Sequence, residues 1–406
     1  MTEPLTVDAP RGLRAPGTTT MVLGSLTGAI LAYAFQAVGT RALGDVAFAP
    51  IAAIWTAFFI VASILLVPLE QYVTRETSRG RAISEDRRVI VWVAVLGVVA
   101  GAGYVALTLD SDIFDGNPVY IAVMALLVIG YTVLFTAKGV LAGNRRFADV
   151  GWVLALEGAF RLVAGLAILA VAVNPSAFAW AMVVAPAAAL VLRFWRHDRA
   201  AGDAAPVGAR RFLGAYIGGS SASQLMLAGA PLGVAALGGS AALFSVIFVT
   251  FTLYRAPLTL IYSLQSRILP YLVALGETGD DHGLRRIAVR VLAAGGVLTL
   301  LGAVVGWLVG PEVVGLLFGD EFQPATRVAM LTAGGVMAAS TAQIGGQVLV
   351  ARARTAALAS AWAIGLLVAV VTMILASGTP DIRVATGFAA GELVALISVG
   401  FLITRA

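Results

Sequence analysis

Twelve runs of apolar residues, each long enough to cross a lipid bilayer as a helix, account for most of this chain of 406 residues. A spanning helix needs roughly 20 apolar residues, because each adds about 1.5 Å of rise. The runs lie near 21–39, 46–68, 89–109, 118–141, 150–173 and 177–195 in the first half. In the second half they lie near 212–236, 241–263, 288–309, 325–350, 356–376 and 383–403. Only 12% of the residues are charged, against about 25% for a water-soluble domain, so no water-facing shell can be assembled from them. The expected fold class is an all-α polytopic membrane protein with about twelve spans.

The charges between the runs alternate. One set of connections carries Arg11 and Arg14, then Arg75, Arg79, Arg81, Arg87 and Arg88, then Arg145 and Arg146. It continues with Arg193, Arg196, Arg199, Arg210 and Arg211, then Arg285 and Arg286, Arg352 and Arg354, and finally Arg405. The other set carries Asp45, then Asp110, Asp112 and Asp115, then Glu312, Asp320, Glu321 and Asp381. Basic connections stay in the cytoplasm. Both termini are therefore expected in the cytoplasm, with an even number of spans across a bacterial inner (plasma) membrane. The net charge of +5 reflects this topology and does not point to nucleic acid.

The two halves show a repeat. Leu43-Gly44 heads the second span and Leu237-Gly238 the eighth; at the same offset Ala47, Thr56, Leu66 and Gln71 meet Ala241, Thr250, Leu260 and Gln265. Six spans per half make the repeat parallel, about an axis along the membrane normal. The expected organisation is a disordered cytoplasmic tail at 1–20, a six-helix lobe at 21–195, a cytoplasmic linker at 196–211 and a second lobe at 212–406. The first run continues without a small-residue cleavage site and reads as an uncleaved span rather than a signal peptide.

Ionisable side chains inside spans are expensive and normally face a cavity or a partner. Glu157 and Arg161 stand four residues apart on one helix face. They are either a self-neutralising structural pair or a cavity cation tuned by its neighbour. Arg255, two residues before Pro257, has no acidic side chain three or four residues away, where Phe251, Thr252, Leu258 and Thr259 stand, and is expected to line a cavity or pair across helices. Glu392 is either a partner for Arg255 or a proton or cation site. Lys138, the lone lysine, reads as an anchor snorkelling to the cytoplasmic interface. Gln36 and Tyr33 in the first span, and Ser220, Ser221, Ser223 and Gln224 in the seventh, occupy equivalent places in the two halves. The serines suit close packing, whereas Gln36 and Gln224 suit a polar cavity lining equally well.

Several chemistries are excluded. The chain has no cysteine, and with one lysine it has no phosphate-binding loop ending in Gly-Lys-Ser/Thr. Its two histidines, His197 and His282, fall in cytoplasmic connections. The longest outer connection, around Gly310 to Pro324, is too short for the catalytic loop of a membrane glycosyltransferase. No enzyme, cofactor or metal site is expected.

The stretch QAVGTRALGD (Gln36 to Asp45), followed by PLEQYVTRE (Pro68 to Glu76), resembles the start of prokaryotic polysaccharide-biosynthesis flippases. So do LFGDEFQPATRVAML (Leu317 to Leu331) and GGQVLVARARTAAL (Gly345 to Leu358). These flippases belong to the multidrug/oligosaccharidyl-lipid/polysaccharide exporter superfamily. The resemblance implies two six-helix lobes around a cavity that opens alternately to either side, and a lipid-linked oligosaccharide as cargo. A diphosphate crossing a low-dielectric core needs cationic partners, and arginine forks match its oxygens. Arg255, Arg161 and Arg41 are the expected cargo contacts. A drug or cation antiporter of the same superfamily would instead use Glu157 and Glu392 to bind a coupling proton or sodium ion. A third reading is a non-transporting scaffold in a glycan-assembly complex.

Overall fold

The computed structural model describes residues 17–82, 87–191, 193–197, 209–256, 258, 281–352 and 354–404. Residues 1–16 of the expected tail, most of the linker, Pro257, Leu260 and Gln265 lie outside these. The described elements are helical throughout: α1 Thr18–Val61, α2 Val67–Ser78, α3 Arg87–Leu107, α4 Val119–Gly143, α5 Phe147–Val171, α6 Pro175–Val184 and α7 Ala188–Val191. Then follow α8 Ala209–Ala228, α9 Ala230–Ala236, α10 Ala241–Tyr254, α11 Asp281–Phe318, α12 Thr326–Ala351, α13 Thr355–Leu375 and α14 Pro380–Thr404. Among the described residues these make twelve passes. The first two come from α1 with α2, while α6 with α7, and α8 with α9, each make one. The sequence reading of twelve spans holds, with two adjustments of their ends. Helix begins at Thr18, inside the expected tail. The ninth span also runs on through Pro311 to Phe318, so the connection after it is shorter than the sequence suggests.

The turn between spans one and two is a single residue. Gly44 (φ 80°, ψ 172°) interrupts α1, and Gly238, its counterpart in the second half, also has a positive φ of 74°. Only glycine reaches positive φ without steric penalty, so the two glycines that head the repeat share that requirement. Before α2, the π-helical turn Ala62–Leu66 precedes Pro68, which has no N–H to donate.

Cα packing divides the chain into two compact units. One draws on Met1–Gln36, Leu65–Ala102 and Ala122–Leu213; the other on Ala37–Ile64, Gly103–Ile121 and Gly214–Ala406. Within the first, α1 and α5 meet backbone to backbone: a Cβ on Gly24 would strike Gly151, and one on Gly28 the carbonyl of Leu154. Lipid gives no hydrophobic drive for helices to associate, so small residues that allow close approach supply the contact. Phe35 and Phe178 stack at 4.6 Å with 5° between their planes, over Gly165. Within the second unit, α8, α9, α10, α12 and α14 bury Met226, Val234, Phe251, Val336 and Phe388 in one apolar core. The large exposed side chains, such as Trp92, Val99, Leu300, Trp307 and Leu367, lie on the long apolar helices, as lipid-facing surfaces require.

Candidate functional site

In the first unit, the helix spacing that puts Glu157 and Arg161 on one face also points them at α4. The Arg161 guanidinium donates to Glu157 Oε1 and to the Tyr131 hydroxyl, and Tyr131 in turn donates to Glu157 Oε1 at 2.6 Å. Arg161 is 4% exposed and lies near the middle of its 25-residue helix. Each member satisfies the others, so a cation is held in the apolar interior without an orphaned donor. Sequence reading found the pair through its i, i+4 spacing but not Tyr131, since a tyrosine among apolar residues carries no mark of its partner.

Lys138 differs from the anchor expected of it. Its ammonium is only 13% exposed, lies 2.8 Å from Glu70 Oε2 of α2 and sits 4.2 Å from the Phe135 ring centroid. An acid within reach on the neighbouring helix holds the charge inside, so it has no need to snorkel. Arg81, read as a topological loop charge, is likewise buried against Glu76, which is 0% exposed.

In the second unit Arg41, Arg255, Arg354 and Arg383 bind backbone carbonyls. The seventh span breaks between α8 and α9, where Pro231 stands four residues after Leu227. Proline has no N–H, so the Leu227 carbonyl loses its helical donor. Arg255 Nη1 donates to that carbonyl at 2.9 Å, and its Nε donates to Phe251 O at 3.0 Å. Its guanidinium also lies 5.1 Å from the Phe59 ring centroid. Arg255 therefore does cross to another helix, as expected, but the acceptor is a carbonyl freed by proline. An apolar cavity of about 280 Å³ borders the same break, lined by Met226, Gly229, Gly233, Met373, Val384 and Phe388 among others.

Arg41 is exposed and forks across the end of α11: Nε donates to Leu317 O at 3.3 Å and Nη2 to Leu316 O. Those carbonyls are among the last four of a helix, which have no intrahelical donors. Arg383 does the same at the end of α13, donating to Met373 O at 3.1 Å and Ile374 O at 2.9 Å. Arg354 donates to Leu402 O, near the end of α14, at 3.2 Å. Sequence reading missed this use of arginine, because the acceptors are backbone atoms far along the chain.

Glu392 is the contrasting case. It is 0% exposed in α14, and among the described residues neither carboxylate oxygen has a hydrogen-bond partner. Its helix neighbours Phe388, Ala395 and Leu396 belong to the apolar core. The expected pairing with Arg255 is not formed. Gln36 is 3% exposed with Oε1 also unpartnered, whereas Gln224 is half-buried. The predicted residues thus fall into two groups. Glu157, Arg161 and Gln36 belong to the first unit; Arg41, Gln224, Arg255 and Glu392 belong to the second. Among the described residues no cluster of three or more acids or histidines could hold a metal ion.

No family model matches the chain. An uncharacterized protein of Mycobacterium tuberculosis is 25% identical over 360 residues, covering 83% of this chain and 79% of the relative. Among solved structures, an inward-facing multidrug resistance MATE family transporter of the MOP superfamily superposes with a TM-score of 0.69 at 14% identity. That match covers 95% of this chain and 94% of the other. The Vibrio cholerae MATE transporter VcmN superposes with a TM-score of 0.64 at 16% identity, covering 96% of each chain. The fold is that of the MATE transporters. Twelve membrane helices in two six-helix lobes, related by the parallel repeat read from the sequence, are the architecture shared with them.

Proposed function

We propose that this chain is an alternating-access transporter that moves a lipid-linked oligosaccharide or polysaccharide precursor across the inner membrane, with its termini in the cytoplasm. The MATE-type fold supports transport, and the resemblance in Gln36 to Asp45 and Leu317 to Leu358 supports the glycan branch. The observation that carries the reading is the buried Arg161–Glu157–Tyr131 group. A diphosphate entering an apolar core needs a cation already in place. Arg161 is such a cation, held by acceptors that a phosphate oxygen can replace. Glu157 is 16% exposed, so a cargo phosphate arriving there competes with it for the guanidinium fork. Arg255 and Arg41, Gln36 and Gln224 are the further residues assigned to the translocation path.

The second reading, a drug or cation antiporter, is favoured by Glu392. A carboxyl group buried in a span without hydrogen-bond partners among the described residues is costly to keep there, and such groups commonly mark proton or ion pathways. The experiment is flux in proteoliposomes. A fluorescent polyprenyl-diphosphate saccharide should cross faster than in protein-free vesicles, and Arg161→Ala should abolish the gain. Proton-driven uptake of an organic cation, lost in Glu392→Gln and without saccharide movement, would replace the first reading by the second. Movement of neither cargo would leave the scaffold.

A further inference from the structure

We infer that Arg41 and Phe48 form a latch that holds the outer ends of spans one and two closed against the second half of the chain. The inference rests on the alternating-access reading above. Its basis is that Ala37–Ile64 packs into the same compact unit as Gly214–Ala406. Three contacts make this junction. Arg41 forks over the Leu316 and Leu317 carbonyls at the end of α11. Gly44, whose φ of 80° forms the turn, brings the hairpin backbone beside the Glu321 carboxylate, where a Cβ would lie 3.4 Å from Oε1. Phe48, fully buried, meets Phe248 at 6.2 Å in a tilted arrangement and Phe322 at 6.2 Å edge to face.

The chemistry suits repeated opening. The carbonyls that Arg41 caps are at a helix end, and Arg41 itself is exposed. On release, water can hydrate both the guanidinium and the carbonyls, so no buried polar group is orphaned. Phe48 supplies the dry part of the closure, which seals when the rings interdigitate and parts without breaking any backbone bond. By contrast, Arg255 caps a carbonyl within a broken span, where water would be less able to replace it. The polar fork sets the register of the closure, and the aromatic cluster excludes water beneath it.

The chain has no cysteine, so a single introduced thiol reports the opening directly. Ser245→Cys places it on α10 at a fully buried position, three residues before Phe248. Labelling by a membrane-impermeant maleimide, in vesicles with the outer face outward, should be slow in this background. Arg41→Ala and, independently, Phe48→Ala should each raise the rate by about tenfold or more, and Arg41→Lys, which lacks the fork, by less. Arg383→Ala removes a helix-end cap elsewhere and should leave the rate unchanged. Rates for Arg41→Ala and Phe48→Ala within about twofold of the parent, or an equal rise in Arg383→Ala, would overturn the latch. Flux separates the two proposals. Faster labelling without movement of any cargo would remove the transport reading and leave the latch. Normal flux with unmoved labelling would remove the latch alone.

Discussion

The two compact units treat buried charge in opposite ways. In the first, Arg161, Glu157 and Tyr131 close a small network, and Lys138 with Glu70 and Arg81 with Glu76 form two further pairs. In the second, Arg255, Arg354 and Arg383 spend their donors on backbone carbonyls, while Glu392 lies in the apolar core with neither oxygen bonded among the described residues. A network of mutually satisfied groups resists change, because removing one member strands the others. A carboxyl group without partners contributes nothing of that kind, and its retention calls for another reason. The difference separates charges that satisfy one another from a buried carboxyl group with no partner among the described residues.

The largest effect should come from the first unit. Arg161→Ala leaves Glu157 and Tyr131 without their common donor and is expected to cost about 3–5 kcal/mol. Thermal unfolding of the detergent-solubilised protein measures it, and a change below ~1 kcal/mol would break the comparison at its strong end. Next comes Glu157→Gln, which keeps the shape and an acceptor but leaves the buried guanidinium without its counter-charge, and about 1.5–3 kcal/mol is expected. Arg255→Met keeps an apolar stem but strands the Leu227 carbonyl; it should cost about 1–3 kcal/mol by the same assay. Adding Pro231→Ala should recover part of that loss, because residue 231 regains an N–H for the carbonyl. The smallest change should be Glu392→Gln, within about 1 kcal/mol in stability, combined with loss of any dependence of flux on the ion gradient. If Glu392→Gln destabilised the protein as much as Arg161→Ala does, the contrast between the units would disappear.

Fold and site were legible to different degrees. The spans were readable because lipid imposes a length and a composition on every helix. The hairpins at Gly44 and Gly238 were readable because a tight turn between helices that needs a positive φ leaves few choices besides glycine. Glu157 with Arg161 was readable because four residues make one helix turn. Tyr131 was not, nor Glu70 as the partner of Lys138, since each contact joins separate helices and packing alone decides it. The carbonyl-binding arginines were the least readable. Arg41 meets Leu316 across 275 residues, and its acceptor is a backbone oxygen that exists only because a helix ends there. The overrun of α11 through Pro311 was hidden for a related reason: proline marks a helix end in water far more reliably than in a membrane bundle.

The bond from Arg255 to Leu227 also bears on how the chain enters the bilayer. The Leu227 carbonyl loses its helical donor because residue 231 is proline, and its partner Arg255 lies 28 residues further along, just after α10 in the next span. During synthesis the seventh span therefore reaches the translocation machinery with an open backbone acceptor, and it is completed only when the eighth arrives. The two spans should leave that machinery together as a hairpin. A chain truncated between them should hold the seventh span at the exit, where a crosslinker could catch it.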